Sequence, residues 1–183
     1  LARWLTIALS AVVLVAASNN VVESFEEDDH IIEKRDVFSE IVKIRSKRLH
    51  DFYCDNTDMT NSLRNVFLNT QNDARQAIAH GSEGSGSGLL PRASNMYKLR
   101  WDCDLEDRAQ RWVDKCDYME ALHIRAQGQN YAILTDVAND AKVLNLVVET
   151  LMKWRREITT AKIEDELYYN TALNIQNWAN MAH

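Results

Sequence analysis

From Thr60 to His80 the apolar residues Leu63, Val66, Phe67, Ala74, Ala77 and Ile78 recur at helical intervals and share one face. Thr60 supplies an N-cap hydroxyl and Gly81 a left-handed stop, so this helix carries its own ends. A second helix is expected from about Asp104 to Asp117, with Leu105, Ala109, Trp112, Val113 and Cys116 as its buried stripe. GQNYAIL, Gly128 to Leu134, reads as a short strand. A third helix runs from about Val137 to Glu157, with Ala141, Leu144, Val147, Val148 and Leu151 turned inward, and a fourth begins near Asn177.

Two stretches break these periods. GSEGSGSG, Gly81 to Gly88, holds four of the chain's five glycines and is expected to be a flexible surface loop, closed by the sole proline, Pro91. No strand precedes those glycines, so they do not read as a phosphate cradle. At the other end, a basic Arg3 is followed by an apolar run from Leu5 to Val15 and then by small residues. That order is the pattern of a secretory leader over residues 1–18, cut after Ala17 or Ser18, and the run is too short to span a bilayer.

Residues 19–53 form an extension with an acidic part, ESFEEDD at Glu23 to Asp29, and a basic part, IVKIRSKRLH at Ile41 to His50. RSKR, Arg45 to Arg48, fits the Arg-x-Lys-Arg pattern of secretory convertases, which makes the extension a candidate propeptide. The same region also fits an amphipathic helix through Val37, Ile41 and Ile44, and both readings stand. The domain proper is placed at residues 54–183.

The chain has 183 residues, 46% of them hydrophobic, and a net charge of −6, which fits one globular domain with extensions and disfavours nucleic acid as a partner. Export to an oxidising compartment would let Cys54, Cys103 and Cys116 pair, but three is an odd number. Cys103 and Cys116 sit at opposite ends of one expected helix, roughly 20 Å apart at about 1.5 Å per residue, whereas a disulfide tolerates about 7 Å. One of them is therefore expected to join Cys54, and the other is free or has its partner beyond His183. No Gly-x-Ser-x-Gly elbow is present, since Gly84-Ser85-Gly86 lies in the glycine loop with no helix after it, and no Asn-x-Ser/Thr sequon occurs.

The order of the motifs resembles the CAP superfamily of venom allergens, cysteine-rich secretory proteins and plant pathogenesis-related proteins. QNDARQAIAHG is similar to its His-Asn-x-x-Arg helix, with Gln71 at the histidine. PRASNMYKLRWDCDLEDRAQRWVDKC, Pro91 to Cys116, resembles the Met-x-x-Leu-x-Trp-Asp-x-x-Leu signature, with the extra Cys103 of nematode activation-associated secreted proteins. HIRAQGQNYA, LMKWRRE and IQNWANMAH resemble the His…Gly-Glu-Asn-Leu, Trp-x-x-Glu and Gly-His-Tyr-Thr-Gln-Met-Ala-Trp segments. Together these motifs cover Cys54 to His183.

The resemblance implies an α+β fold, a three-layer α-β-α sandwich with a small antiparallel sheet, incomplete here at its C-terminus. It also implies a central cleft of two histidines and two glutamates, which in some members holds zinc. Carried over residue by residue, the histidines fall on His123 and Asn177 and the glutamates on Gln129 and Glu157. Two of the four ionisable groups are thus amides. Zinc takes three or four imidazole, thiolate or carboxylate ligands, and an amide is not a general base. No metal, no cofactor and no catalytic residue are therefore expected.

The resemblance implies a secreted, extracellular, non-catalytic CAP-domain protein of a parasitic nematode, a host-interface binding or immunomodulatory protein with a host protein or a small lipid as partner. No nucleic acid and no membrane span are expected. A sterol carrier lined by Tyr168, Tyr169 and Trp178 and a metal-dependent hydrolase are the alternatives.

Overall fold

The computed structural model describes residues 4–8, 11–17, 51–114, 128–134, 139–163 and 173–182; for the first two stretches it describes the backbone. His123, Cys116, Tyr168 and Tyr169 lie outside the described residues, as do the RSKR site and the acidic segment.

Helix α1 spans Asn61–His80. The Thr60 hydroxyl accepts from the Leu63 N–H, and Gly81 closes the helix at φ 67°, where a side chain would be strained. Of the expected face, Leu63, Val66, Phe67, Ala74 and Ile78 are buried and Ala77 is half-buried, but Arg64, Asn65, Gln71 and Arg75 are buried too. This helix is covered on several sides. Each buried cation therefore needs oxygen partners. Arg75 donates to the Tyr97 carbonyl (2.8 Å) and to the Ala182 carbonyl (2.9 Å), and its burial lowers its pKa from the ordinary arginine value.

Helix α2 spans Cys103–Val113, with Asp102 as N-cap accepting from the Leu105 N–H at 2.9 Å. Its buried residues are Glu106, Ala109 and Val113. The expected stripe is thus corrected: Leu105 and Trp112 are only half-buried, and the face is turned by a glutamate that has found a cationic partner inside.

Helix α3 spans Asp140–Thr160, capped by the Asn139 side chain. Val143, Val147, Val148, Leu151, Trp154 and Ile158 are buried, whereas Ala141 is exposed and Leu144 half-buried. Helix α4 is short, Gln176–Ala182, and buries Trp178 and Met181.

The main sheet has the order β1(Trp4–Ala8), β2(Ala11–Ala17), β5(Gly128–Leu134). The first pair is antiparallel, with Trp4 opposite Ala16; the second is parallel, with Ala11 opposite Gly128 and Ala17 opposite Leu134. The sheet is small, as the α+β reading requires, but mixed where antiparallel pairing was implied throughout. The apolar stretch read as a leader occupies β1 and β2, which describes the chain with that stretch attached.

GSEGSGSG is not a flexible loop. It folds as a hairpin of β3(Gly84–Ser85) and β4(Gly88–Leu89), with Gly88 at φ 122°. The tip is pinned to the end of α3 by a Gly86 N–H bond to the Ala161 carbonyl at 2.8 Å.

The principal core gathers Leu63, Val66 and Phe67 of α1, Val147, Leu151 and Trp154 of α3, Met181 of α4 and Leu134 of β5. A second cluster joins Ile78, Leu90, Ile158, Ile175 and Trp178. α2 lies against β1 and β2, while α4 lies against β5, α1 and α3. Cys54 and Cys103 are disulfide-bonded, with Cα atoms 5.3 Å apart. The bond ties the segment before α1 to the first residue of α2, and the Phe52 and Trp101 rings meet beside it at 5.7 Å.

Candidate functional site

β5, the last turn of α3 and the first turn of α4 converge on one polar cluster. Glu157 projects from the end of α3. Its Oε1 accepts from Asn177 Nδ2 at 2.7 Å and its Oε2 from the Trp178 N–H at 2.9 Å. The second bond satisfies a first-turn amide of α4, which lacks an intrahelical acceptor, and sets a carboxylate at the positive end of that helix.

Asparagines extend the cluster to the strand. Asn130, only 1% exposed, donates to the Asn177 carbonyl at 2.8 Å. Asn180 donates to the Gln129 carbonyl at 2.8 Å and to Asn130 Oδ1 at 2.9 Å. Gly128 makes room for this arrangement, since a Cβ there would lie 2.9 Å from Asn180 Oδ1. The Gln129 side-chain Nε2 is buried and has no hydrogen-bond partner among the described residues, nor has either amide atom of Gln71.

Three of the four tetrad positions, Gln129, Glu157 and Asn177, are therefore brought to one place, linked through backbone and amide hydrogen bonds; His123 is outside the described residues. Among the described residues no group of three or more His, Cys, Asp or Glu side chains could hold a metal ion. Trp178, considered as a wall of an apolar groove, packs inside the second core cluster at 9% exposure.

Asn130 and Asn180 do as much to build the site as the mapped positions, and sequence reasoning missed them. The only signal was an unusual density of amides in GQN and NWAN; which amide meets which spans about fifty residues of chain, as the Asn180–Asn130 separation of 50 shows. Chemically the cluster is made of hydrogen-bond donors and acceptors that do not titrate near neutrality, around one carboxylate whose two oxygens each already accept a bond.

The model of the cysteine-rich secretory protein family, CAP, matches residues 57–183. The chain belongs to the CAP family. The matched span begins just before α1 and takes in the whole polar cluster, so Glu157, Asn177 and Gln129 lie inside the CAP domain.

Among curated proteins, the chain is 45% identical over 65 residues to Ancylostoma secreted protein of Ancylostoma caninum, covering 36% of this chain and 15% of that protein. It is 31% identical over 130 residues to venom allergen 5.01 of Dolichovespula maculata, covering 68% of this chain and 53% of the relative. Identity to venom allergen 5 of Brachyponera chinensis is 32% over 115 residues, covering 60% and 56% respectively. The chain thus spans about half the length of these venom allergens and a smaller share of the Ancylostoma protein. No solved structure matches it significantly. Among the described residues no helix is long and apolar enough to cross a membrane.

Proposed function

We propose that this CAP-domain protein is secreted and works by binding rather than by catalysis, with a host protein or small lipid as its ligand at a parasite–host interface. Residues 1–18 act as the export leader, residues 19–53 as an extension open to removal, and the CAP domain carries the binding surface. The similarity to a protein named as secreted in Ancylostoma supports export, as does the Cys54–Cys103 disulfide, a bond that persists in oxidising compartments.

The observation that carries the non-catalytic reading is the engagement of Glu157. Both its oxygens are held by donors of α4, one of them the amide that stands where a second imidazole would be needed. Moving that carboxylate onto a metal would strip the Trp178 N–H of its acceptor and set a neutral amide in the coordination shell. Gln129 in turn has no proton-accepting group to offer a substrate.

Isothermal titration of the full chain with zinc at neutral pH tests this. The expected result is no saturable uptake, unchanged by His123→Ala. Stoichiometric zinc binding that disappears in His123→Ala and in Glu157→Ala would restore the metal-dependent alternative.

A further inference from the structure

Between Glu83 and Asp102 the chain carries Arg92, Lys98 and Arg100 and no acidic residue. This run of cations stands in a chain of net charge −6. The acids that bracket it are committed elsewhere. Buried Glu83 takes a two-pronged bond from Arg155 (2.9 and 3.2 Å), and Asp102 caps α2. Arg92, Lys98 and Arg100 are exposed and make no ion pair or hydrogen bond among the described residues.

The segment that bears them is fixed to the fold. It runs back along α1, pinned by the Ala93 N–H on the Ile78 carbonyl (3.3 Å) and by Arg75 on the Tyr97 carbonyl (2.8 Å). Asn72 then bonds both the N–H and the carbonyl of Leu99, at 2.8 and 3.1 Å. The anchors Ile78, Arg75 and Asn72 cover roughly 9 Å of helix at about 1.5 Å per residue. Arg92 is held at one end, its stem over the Cβ-less Gly81, and Lys98 and Arg100 at the other. Between them Tyr97 stands 78% exposed. A strap tied at this many points holds the backbone that bears its cations in place, so binding has only their side chains left to order.

The geometry points to this strap as a binding site for a sulfated polysaccharide. A narrow polyanionic thread can lie along the row and release its counterions to three cations, with guanidinium forks suited to oxyanions. A broad anionic body, such as a bilayer or a duplex, would also meet the acidic remainder of the molecule, beginning with exposed Asp104 and Asp107 on the helix that follows. The thread is the better fit because it touches the strap alone.

The test is the affinity of the full chain for heparin measured across a salt series. The variants are Arg92→Glu/Lys98→Glu/Arg100→Glu, its glutamine counterpart, and a comparison triple in the N-terminal basic segment, Lys43→Glu/Arg45→Glu/Lys47→Glu. The expected result is saturable binding by the wild type. Strap reversal weakens it by about tenfold or more and lowers the slope of log Kd against log salt by about two to three. The glutamine variant falls between, and the comparison triple retains most of the affinity. Far-ultraviolet circular dichroism of each variant should match the wild type, since all three strap side chains are exposed. The proposal fails if the strap variants bind heparin as the wild type does, if the comparison triple alone abolishes binding, or if anionic phosphatidylserine vesicles or duplex DNA bind the wild type as tightly as heparin.

Discussion

Arg64 of α1 grips Glu106 of α2 through two parallel bonds, Nε to Oε2 at 2.8 Å and Nη2 to Oε1 at 2.5 Å, with side-chain exposures of 4% and 0%. Two further donors of Arg64 are used, Nη2 on the Asn56 carbonyl and Nη1 on the Asn61 side chain, and the Trp101 indole N–H adds a bond to Glu106 Oε2. A pair this buried adds little over an apolar pair of the same volume, but losing one member leaves a stranded charge. Glu106→Ala should therefore destabilise the domain by about 3–5 kcal/mol in urea unfolding. Arg64→Met combined with Glu106→Leu should cost clearly less than the sum of the single substitutions. A strictly additive double-mutant cycle would contradict the coupling.

The glycine hairpin gives a graded prediction from three neighbouring positions. At Gly86 an added Cβ would lie 2.8 Å from the Thr160 carbonyl oxygen and 2.9 Å from that of Ala161, both backbone atoms that cannot swing aside. Gly86→Ala should cost about 1–3 kcal/mol as the hairpin is pushed off α3. Gly84 has nothing within 4 Å and no positive φ, so Gly84→Ala should be close to neutral. Gly88 is open but sits at φ 122°, and Gly88→Ala should fall between them. Thermal melts of the three variants would show the order; equal losses at 84 and 86 would refute the anchoring of the tip.

That hairpin also marks where sequence reading reached its limit. α1 and β5 were legible almost to the residue, because Thr60, Gly81 and the apolar spacing are local signals. The hairpin was not, since glycines alone spell flexibility and the bond that orders them comes from Ala161, far along the chain. α3 ends beyond the expected Glu157, at Thr160, because Ile158 is taken into the second cluster. Glu106 was read past for a related reason: a glutamate reads as solvated until its guanidinium is seen. At the site, the mapped positions Gln129, Glu157 and Asn177 were visible in the motifs, while Asn130 and Asn180 emerged only when strand and helix met.

The Cys54–Cys103 bond closes a sequence separation of 49 residues around α1 and the strap. Chain-entropy arithmetic for such a loop gives about 4 kcal/mol as an upper figure for its stabilisation. Cys54→Ser/Cys103→Ser should accordingly lower the urea midpoint and raise the slope, because the unlinked denatured chain exposes more surface, and dithiothreitol should bring the wild type to the same midpoint. A reductant-insensitive midpoint in the wild type would mean that the bond does not tie the two segments in solution.

Asn180 can be replaced by a side chain of the same shape that keeps its acceptor and loses its donor. Its Nδ2 feeds both the Gln129 carbonyl and Asn130 Oδ1, so in Asn180→Asp an ionised carboxylate would face two oxygens at about the distances now held by hydrogen bonds, 2.8 and 2.9 Å. Folding should then favour the protonated acid, raising its pKa above the unfolded value of about 3.9. A raised acid leaves stability intact below the unfolded pKa and removes it as pH climbs through the folded one. The variant should thus be closest to the wild type at the acid end and fall away as the solution approaches neutrality. Asn180→Ala, which forms no new charge, should show a loss of about 1–3 kcal/mol with no such trend relative to the wild type. Parallel urea titrations at several pH values distinguish the two, and a pH-independent gap for Asn180→Asp would show that Asn180 does not donate into this cluster.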